Sequence, residues 1–148
     1  MTCDHKVGIE NLIGLTITKI EGGTATDALR FFSKDGDVYV MHHHQDCCEN
    51  VRIEDINGEL ADLTYTPIFE ASARTSSDPK FDPPLDPSDA KYGSYTWTFY
   101  RISTIRGTVV IRWYGASKGY YGEEVDFHKE TKDDFCRREL FAQKKEKR

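Results

Sequence analysis

Two runs of alternating residues decide the fold of this chain. They are Tyr95-Thr96-Trp97-Thr98-Phe99-Tyr100-Arg101-Ile102-Ser103-Thr104-Ile105 and, after Arg106-Gly107, Thr108-Val109-Val110-Ile111-Arg112-Trp113-Tyr114. Both runs are rich in β-branched and aromatic residues, which favour strands. A short turn at Arg106-Gly107 between them predicts that the runs pair as one long antiparallel hairpin.

The position of the turn sets the register of this hairpin. If Arg106 and Gly107 are the central turn residues, Ile105 faces Thr108 and Arg101 lies directly across from Arg112. This register predicts a core face that contains Tyr100, Ile102, Val109, Ile111 and Trp113, and an opposite face that contains Trp97, Phe99, Arg101, Arg112 and Tyr114. Opposed guanidiniums repel each other, so an anion is expected between them. It is either a bound ligand or a carboxylate from Asp46, Glu49, Glu124 or Asp126.

The segments before the hairpin predict more antiparallel strands. Residues 12–20, 28–32 and a third run from Val38 form a meander, with breaks at Gly22-Gly23 and at the turn residues 34–37. Further strands are predicted at 51–56, before a turn at Asn57-Gly58, and at 68–73. A last strand is predicted at 123–127.

Two segments depart from the strand pattern. Residues 74–91 hold four of the five prolines, which predicts a long Pro-rich loop. Residues 131–148 predict a C-terminal helix that Thr131 caps and that ends in basic residues. The expected fold class is therefore α+β: mostly antiparallel β, a meander plus a long hairpin, with a C-terminal helix. The length of 148 residues indicates a single domain, 1–148.

Composition narrows the class of function. The net charge is −5, and residues 137–148 contribute +4, which leaves −9 for residues 1–136. An acidic body argues against general nucleic-acid binding, and the basic tail is expected to be the solvated end of a helix. No apolar run is long enough to span a membrane, and the first residues do not resemble a signal peptide, so a cytoplasmic location is expected. The four cysteines are then expected to be thiols.

The segment from His42 to Glu49 is the densest in reactive side chains. His42, His44 and Cys48 have the residue types of a zinc site, and a thiol beside His and Asp is the material for nucleophilic catalysis. A disulfide between the adjacent Cys47 and Cys48 is a third alternative. The favoured interpretation is structural, and no cofactor is expected. Gln45, Asp46, Cys47, Cys48 and Glu49 then form a turn in which Asp46 accepts from backbone amides and Glu49 reaches an arginine of the hairpin.

Two motifs in this chain resemble a known family. One starts at His44-Gln45-Asp46-Cys47-Cys48-Glu49 and runs on to Leu63, and the other contains Ser94-Tyr95-Thr96-Trp97-Thr98-Phe99-Tyr100, Arg112-Trp113-Tyr114-Gly115 and Gly119-Tyr120-Tyr121. They are similar to a family of small, uncharacterised proteins found largely in bacteriophage genomes, domain of unknown function 7448, over residues 10–127. The resemblance implies a phage origin and a bacterial host cytoplasm, and it carries over no catalytic residue. The chain departs from the family at Gly122, where a serine is expected, in its three consecutive histidines and in its basic C-terminal segment.

Three functions are compatible with these observations. The leading hypothesis is a non-enzymatic phage accessory protein that binds and blocks or modulates a host factor, such as a defence protein. The alternative is a nucleotide or small-anion binding protein, whose ligand would contact Trp97, Phe99, Arg101, Arg112, Tyr114, Tyr120 and Tyr121. The third is a metal-dependent hydrolase centred on the His/Cys segment.

Overall fold

The computed structural model describes residues 4–24, 28–44, 48–119 and 122–130, which form two antiparallel sheets. The five-stranded sheet has the order β1-β9-β4-β3-β2, with β1 at Asp4–Lys6, β2 at Ile17–Gly22, β3 at Ala28–Ser33, β4 at Val38–His42 and β9 at Asp126–Glu130. The four-stranded sheet has the order β5-β8-β7-β6, with β5 at Asn50–Asn57, β6 at Glu70–Ser76, β7 at Ser94–Thr104 and β8 at Gly107–Ser117.

The predicted long hairpin forms the centre of the four-stranded sheet, but its register differs from the prediction. Thr104 pairs with Gly107, so Ile105 and Arg106 are the turn residues. Arg101 therefore faces Val110, and Arg112 faces Phe99. Moving the turn by one residue shifts the pairing by two, and a shift of two leaves every side chain on its original face. For this reason the predicted core face is right although the predicted pairs are wrong.

Gly107 explains the error in the register. The prediction placed this glycine inside the turn, where a positive φ is often needed. In the structure Gly107 is the first residue of β8 and is not among the residues with positive φ. A Cβ atom at Gly107 would lie 2.9 Å from Oδ2 of Asp62, in the 3-10 helix Leu60–Leu63. That oxygen is the end of a flexible side chain, and the next Asp62 atoms lie at 3.4 Å and 3.5 Å, so neither the turn nor this contact requires a glycine.

The predicted meander is confirmed as β2, β3 and β4. Gly36 has a φ of 88° in the turn between β3 and β4, as expected for the Asp-Gly pair. The first strand starts later than predicted, because a 3-10 helix at Ile9–Leu12 and Gly14, with a φ of 90°, precede it. The last strand also starts later, at Asp126, because Glu123 is used in a cluster of hydroxyl groups.

The predicted loop at 74–91 is shorter in the structure. β6 starts and ends later than predicted and continues to Ser76, and a helix, α1, runs from Pro87 to Tyr92. Asp86 caps this helix by accepting a hydrogen bond from Ser88 N at 2.9 Å, with Pro87 in its first turn. In the described part of the chain α1 is the only α-helix, so the described fold is mostly antiparallel β. The predicted C-terminal helix, 131–148, lies outside the described residues.

The two sheets share one hydrophobic core. Trp113 of β8 is fully buried, and its Nε1 lies 3.1 Å from Sδ of Met41 in β4. Both sheets contribute fully buried residues: Leu29, Phe31 and Met41 from the five-stranded sheet, and Ile102, Val109, Ile111 and Trp113 from the four-stranded sheet. Burial of such side chains contributes about 1.5–3 kcal/mol each. None of the described helices is long and apolar enough to cross a membrane.

Candidate functional site

The outer face of the four-stranded sheet carries a second group of packed side chains. Tyr95, Trp97, Phe99 and Tyr114, here called the aromatic cluster, alternate with core residues along β7 and β8 and point away from the shared core. The ring centroids of Trp97 and Tyr114 are 4.8 Å apart, in an edge-to-face arrangement. All four rings are buried, so another part of the chain must cover this face of the sheet.

The Pro-rich segment provides that cover. Residues 77–86, here called the strap, cross the aromatic cluster and lead into α1. Nε1 of Trp97 donates to the carbonyl oxygen of Pro83 at 2.9 Å, and the Tyr95 hydroxyl donates to that of Asp82 at 3.0 Å. The Tyr114 hydroxyl donates to Asp89 and accepts from Leu85 N. Burial, and then the hydrogen bond to Asp89, raise the pKa of Tyr114.

Arginines surround the aromatic cluster. The Arg74 guanidinium lies 4.0 Å from the centroid of Phe99, and that of Arg112 lies 4.7 Å from the centroid of Trp97. Such contacts are attractive because the ring face is electron-rich. The sequence analysis did not single out Arg74. Two features could have indicated this residue: it directly follows a predicted strand, and an extension of that strand places its side chain on the face opposite Ala71, which is buried.

Arg101 and Arg112 do not share an anion. Arg112 contacts Asp55 at 2.7 Å, and Nε of Arg101 donates to Glu70 at 2.8 Å. Each arginine is therefore paired with a carboxylate on its outer neighbouring strand, because the true register does not oppose the two guanidiniums. The prediction of a shared carboxylate from Glu49, Glu124 or Asp126 is wrong, and Asp46 lies outside the described residues. Hydrogen bonds from Arg101 and Ser103 lower the pKa of Glu70.

Part of this outer face remains open beside the strap. A cavity of about 270 Å³, here called the cleft, is lined by Ser72, Ala73, Arg74, Phe99, Arg101 and Val110. Trp97 and Tyr114 do not line it, since they lie under the strap. Of the predicted ligand-binding residues, the structure thus brings Phe99 and Arg101 to a cavity, and places Arg112 beside Phe99. Tyr120 and Tyr121 lie outside the described residues.

A larger cavity, of about 470 Å³, lies where the edges of the two sheets meet, between β1, β9 and β7. Its charged side chains include Lys6 and Asp126, which form an ion pair at 3.1 Å. The Tyr100 hydroxyl donates to the Val125 carbonyl oxygen at its inner end. These polar groups bind each other, so we do not assign a ligand to this cavity.

The His/Cys segment is divided between several environments. The ring of His42 stacks on that of His128 at 4.8 Å, and burial, then the charge of His128, lower the pKa of His42. His44 is exposed, and Gln45, Asp46 and Cys47 lie outside the described residues. Cys48 is disulfide-bonded, which corrects the expectation of thiols, and its partner lies outside the described residues.

These positions bear on the predicted zinc site. A disulfide sulfur offers no thiolate, so a site of His42, His44 and Cys48 would first require reduction of that bond. Among residues 4–24, 28–44, 48–119 and 122–130 there is no group of three His, Cys, Asp or Glu side chains placed to hold a metal ion.

Glu49 contacts a histidine rather than an arginine of the hairpin. Its Oε1 lies 3.1 Å from Nε2 of His43, and both side chains are buried. Nδ1 of His43 lies 2.7 Å from the carbonyl oxygen of Glu124, just before β9. The pair joins the end of β4 to the start of β5 and to the segment before β9. His43 was not singled out from the sequence, because nothing local distinguishes it from its two neighbours.

A second buried carboxylate also escaped the sequence analysis. Oε2 of Glu123 accepts hydrogen bonds from the hydroxyls of Ser94 and Ser117, and Oε1 accepts one from Thr96 at 2.8 Å. Hydroxyl donors to both oxygens satisfy a buried carboxylate. This cluster fastens the segment before β9 to the open end of the long hairpin.

Exposed apolar side chains gather at the hairpin-turn end of the molecule. Ile13, Tyr65, Phe69 and Ile105, here called the apolar end, are all exposed. Backbone hydrogen bonds hold their segments together: Tyr65 N donates to Ile17 O at 2.7 Å, and Phe69 N donates to Ser103 O at 3.0 Å. Arg106 also donates to the Thr64 carbonyl oxygen. These hydrogen bonds bring together the three parts of the chain that carry the exposed side chains.

Comparison with known proteins identifies a family but no characterised relative. The family model described as Domain of unknown function (DUF7448) matches residues 10–127. No significant match is found among curated proteins or among solved structures.

Proposed function

The chain belongs to the DUF7448 family, and we propose that it is a non-enzymatic binding protein that docks on a partner protein through the apolar end. The observation that carries this proposal is the exposure of large apolar side chains on three segments that hydrogen bonds hold together. Ile105 is 83% exposed and Tyr65 is 69% exposed. Grouped apolar side chains on a surface are typical of protein–protein interaction sites, and aromatic residues are common at the energetic centre of interfaces.

The backbone at Tyr65 supports this proposal independently. Tyr65 has a φ of 64° and is the only non-glycine residue with positive φ in the described part of the chain. This conformation costs an L-residue about 1–2 kcal/mol. The bond from Tyr65 N to Ile17 O and the bridge between Ile17 and Thr64 hold the residue there. A large ring kept exposed on strained backbone fits a residue retained for binding rather than for stability.

The partner that suits the apolar end is a protein with an apolar groove that accepts Tyr65 and Ile105. A second copy of this chain is a poorer candidate, because each copy carries a net charge of −5 and two copies repel each other. The resemblance to phage proteins favours a bacterial host factor, such as a defence protein, that the chain blocks or modulates.

The proposal can be tested by capturing partners from host bacteria with the whole chain and with two variants. Tyr65→Gly removes the ring at a position where glycine relieves the backbone strain, so its melting temperature should be equal or higher. Ile105→Ser removes an exposed side chain at the hairpin turn. Each variant should weaken binding of the captured partner by about tenfold or more, as expected for a central interface residue.

Phe81→Ser is the matched control, because Phe81 is an equally exposed aromatic residue on the strap. It should leave the binding of the partner unchanged. Equal binding by Tyr65→Gly, Ile105→Ser and the original chain would overturn the proposal, as would equal weakening by Phe81→Ser.

A further inference from the structure

The cleft on the four-stranded sheet has the groups of an anion site, and it is separate from the apolar end. Arg74 of β6 is opposite Phe99, and Arg101 of β7 is opposite Ser72. The two arginines thus occupy diagonal positions on neighbouring strands, where side chains are about 7–8 Å apart at their bases. Both arginines line the same cavity of about 270 Å³.

Arg74 is oriented for binding before any ligand arrives. Its guanidinium is 4.0 Å from the centroid of Phe99, and this cation–π contact holds the charged group over the ring. Its ion pair with Asp82 is 3.6 Å long, which exceeds hydrogen-bond distance. Among the described residues no hydrogen bond uses the donors of Arg74, and the side chain is 62% exposed.

Arg101 has donors to spare as well. Its Nε donates to Glu70 at 2.8 Å. No described residue accepts from its two Nη groups, which are the donors that would form a fork with oxygens of an anion. Ser72 contributes a hydroxyl to the same wall, and Phe99 and Val110 form an apolar floor.

We propose that the cleft binds a phosphate group, free or as a phosphate monoester, between the guanidiniums of Arg74 and Arg101. Two arginines match the double charge and the several acceptor oxygens of this group. The apolar floor accepts a small organic substituent of the ester. The rings of Trp97 and Tyr114 take no part, because the strap covers them.

Two carboxylates compete with the ligand and set its affinity. Glu70 pairs with Arg101 and Asp82 lies near Arg74, so the four groups together have no net charge. A phosphate group must displace Asp82 from the edge of Arg74. Removing the charge of Asp82 should therefore strengthen binding, by about two- to fivefold if the exposed ion pair has the usual small energy.

The test is a titration of the whole chain with inorganic phosphate and with phenyl phosphate at constant ionic strength. The amide NMR signals of Ser72, Arg74 and Arg101 should shift with a common dissociation constant. Arg74→Gln and Arg101→Gln should each weaken binding about tenfold or more, and Asp82→Asn should strengthen it. Tighter binding of phenyl phosphate would identify an ester as the better ligand, and equal affinities would identify phosphate itself.

Arg52→Gln is the matched control, since Arg52 lies on the same sheet, contacts Tyr114 and does not line the cleft. It should leave the affinity unchanged. The proposal is overturned if these amide signals do not shift with either probe, or if Arg52→Gln weakens binding as much as Arg74→Gln does. Capture of a protein partner by the apolar end has no bearing on either result.

Discussion

His43 and Glu49 show how one buried pair of side chains can join three segments of the chain. A carbonyl oxygen only accepts hydrogen bonds, so Nδ1 of His43, 2.7 Å from the carbonyl of Glu124, must carry a proton. Nε2 then faces a carboxylate oxygen of Glu49 at 3.1 Å. The His43 ring thus lies between the Glu124 carbonyl oxygen and the Glu49 carboxylate. The stability of this contact therefore depends on a hydrogen bond between the two side chains as well as on their charges.

Glu49→Gln and Glu49→Leu should have different effects for this reason. The amide of glutamine can donate to Nε2 of a neutral His43, so Glu49→Gln should lower the free energy of unfolding by about 1 kcal/mol or less. Leucine offers no partner, so Glu49→Leu should lower it by about 2–4 kcal/mol. Urea denaturation measures both values. Equal losses for the two variants would contradict a role for the hydrogen bond between these side chains.

His42 should make stability depend on pH. Its pKa in the folded chain is lowered from 6.5, chiefly by burial and then by the charge of His128. Between the folded pKa and about 6.5 the unfolded chain binds more protons than the folded chain. The free energy of unfolding therefore falls as pH decreases through this window. Above the window His42 contributes no pH dependence. Denaturation at pH 5 to 8 should show the fall, and His42→Gln should reduce it.

His128→Gln provides the companion variant for this prediction. Removing His128 removes the second cause of the lowered pKa, so the fall at acidic pH should become smaller but persist. An unchanged pH dependence in His42→Gln would show that another group is responsible.

The strap illustrates how an element without regular structure is held in place. Three ring groups of the aromatic cluster bond it: the hydroxyls of Tyr95 and Tyr114 and Nε1 of Trp97. Two of the bonds use backbone carbonyl oxygens of the strap. The strap thus provides acceptors for the buried ring donors, and the rings provide partners for backbone groups of the strap. This reciprocity positions the strap beside the cleft and leaves the cleft open.

Trp97→Phe should loosen the strap. The variant keeps an aromatic ring but removes the donor to Pro83, so the free energy of unfolding should fall by about 1 kcal/mol. Limited proteolysis should cut residues 77–86 faster than in the original chain. Tyr92→Phe is the control, because Tyr92 is exposed and its loss of a hydroxyl should change neither value. A strap cut at the original rate in Trp97→Phe would contradict this account.

The whole molecule separates its two proposed binding surfaces. The apolar end lies at the turn between β7 and β8, whereas the cleft lies on the outer face of the sheet that those strands share with β6. No member of one surface belongs to the other. Between them is a rigid sheet whose inner face packs in the shared core. Sites that share no residue usually respond to substitution independently.

The two surfaces should therefore be separable by mutation. Tyr65→Gly should keep the original affinity for phosphate within about twofold, and Arg74→Gln should keep the original affinity for the protein partner within about twofold. Titration with inorganic phosphate and binding to the captured partner measure the two effects. A change of tenfold in either crossed measurement would show that the surfaces are coupled.

Much of the fold could be predicted from the sequence, and little of the candidate site could. The core face of the long hairpin, the meander and the turn at Gly36 depend on neighbours in the chain, and each was predicted correctly. The pairs of Arg101 and Arg112 were not, because Gly107 is the first residue of β8 and does not occupy the turn. The helix α1 had a readable signal in Asp86-Pro87.

The amino-acid sequence alone was enough to assign the apolar face of the long hairpin and the family to which the chain belongs. The alternation of apolar and polar side chains along a strand is a local property. The apolar face is therefore assigned correctly even when the predicted pairing of the strands is wrong by two residues. The partners of the buried polar groups became visible only in the folded chain. Glu49 meets His43, Glu123 meets three hydroxyls, and the strap closes over Trp97. These contacts join different elements of the fold, and they are chosen by the packing of whole sheets and by the need to satisfy buried donors and acceptors.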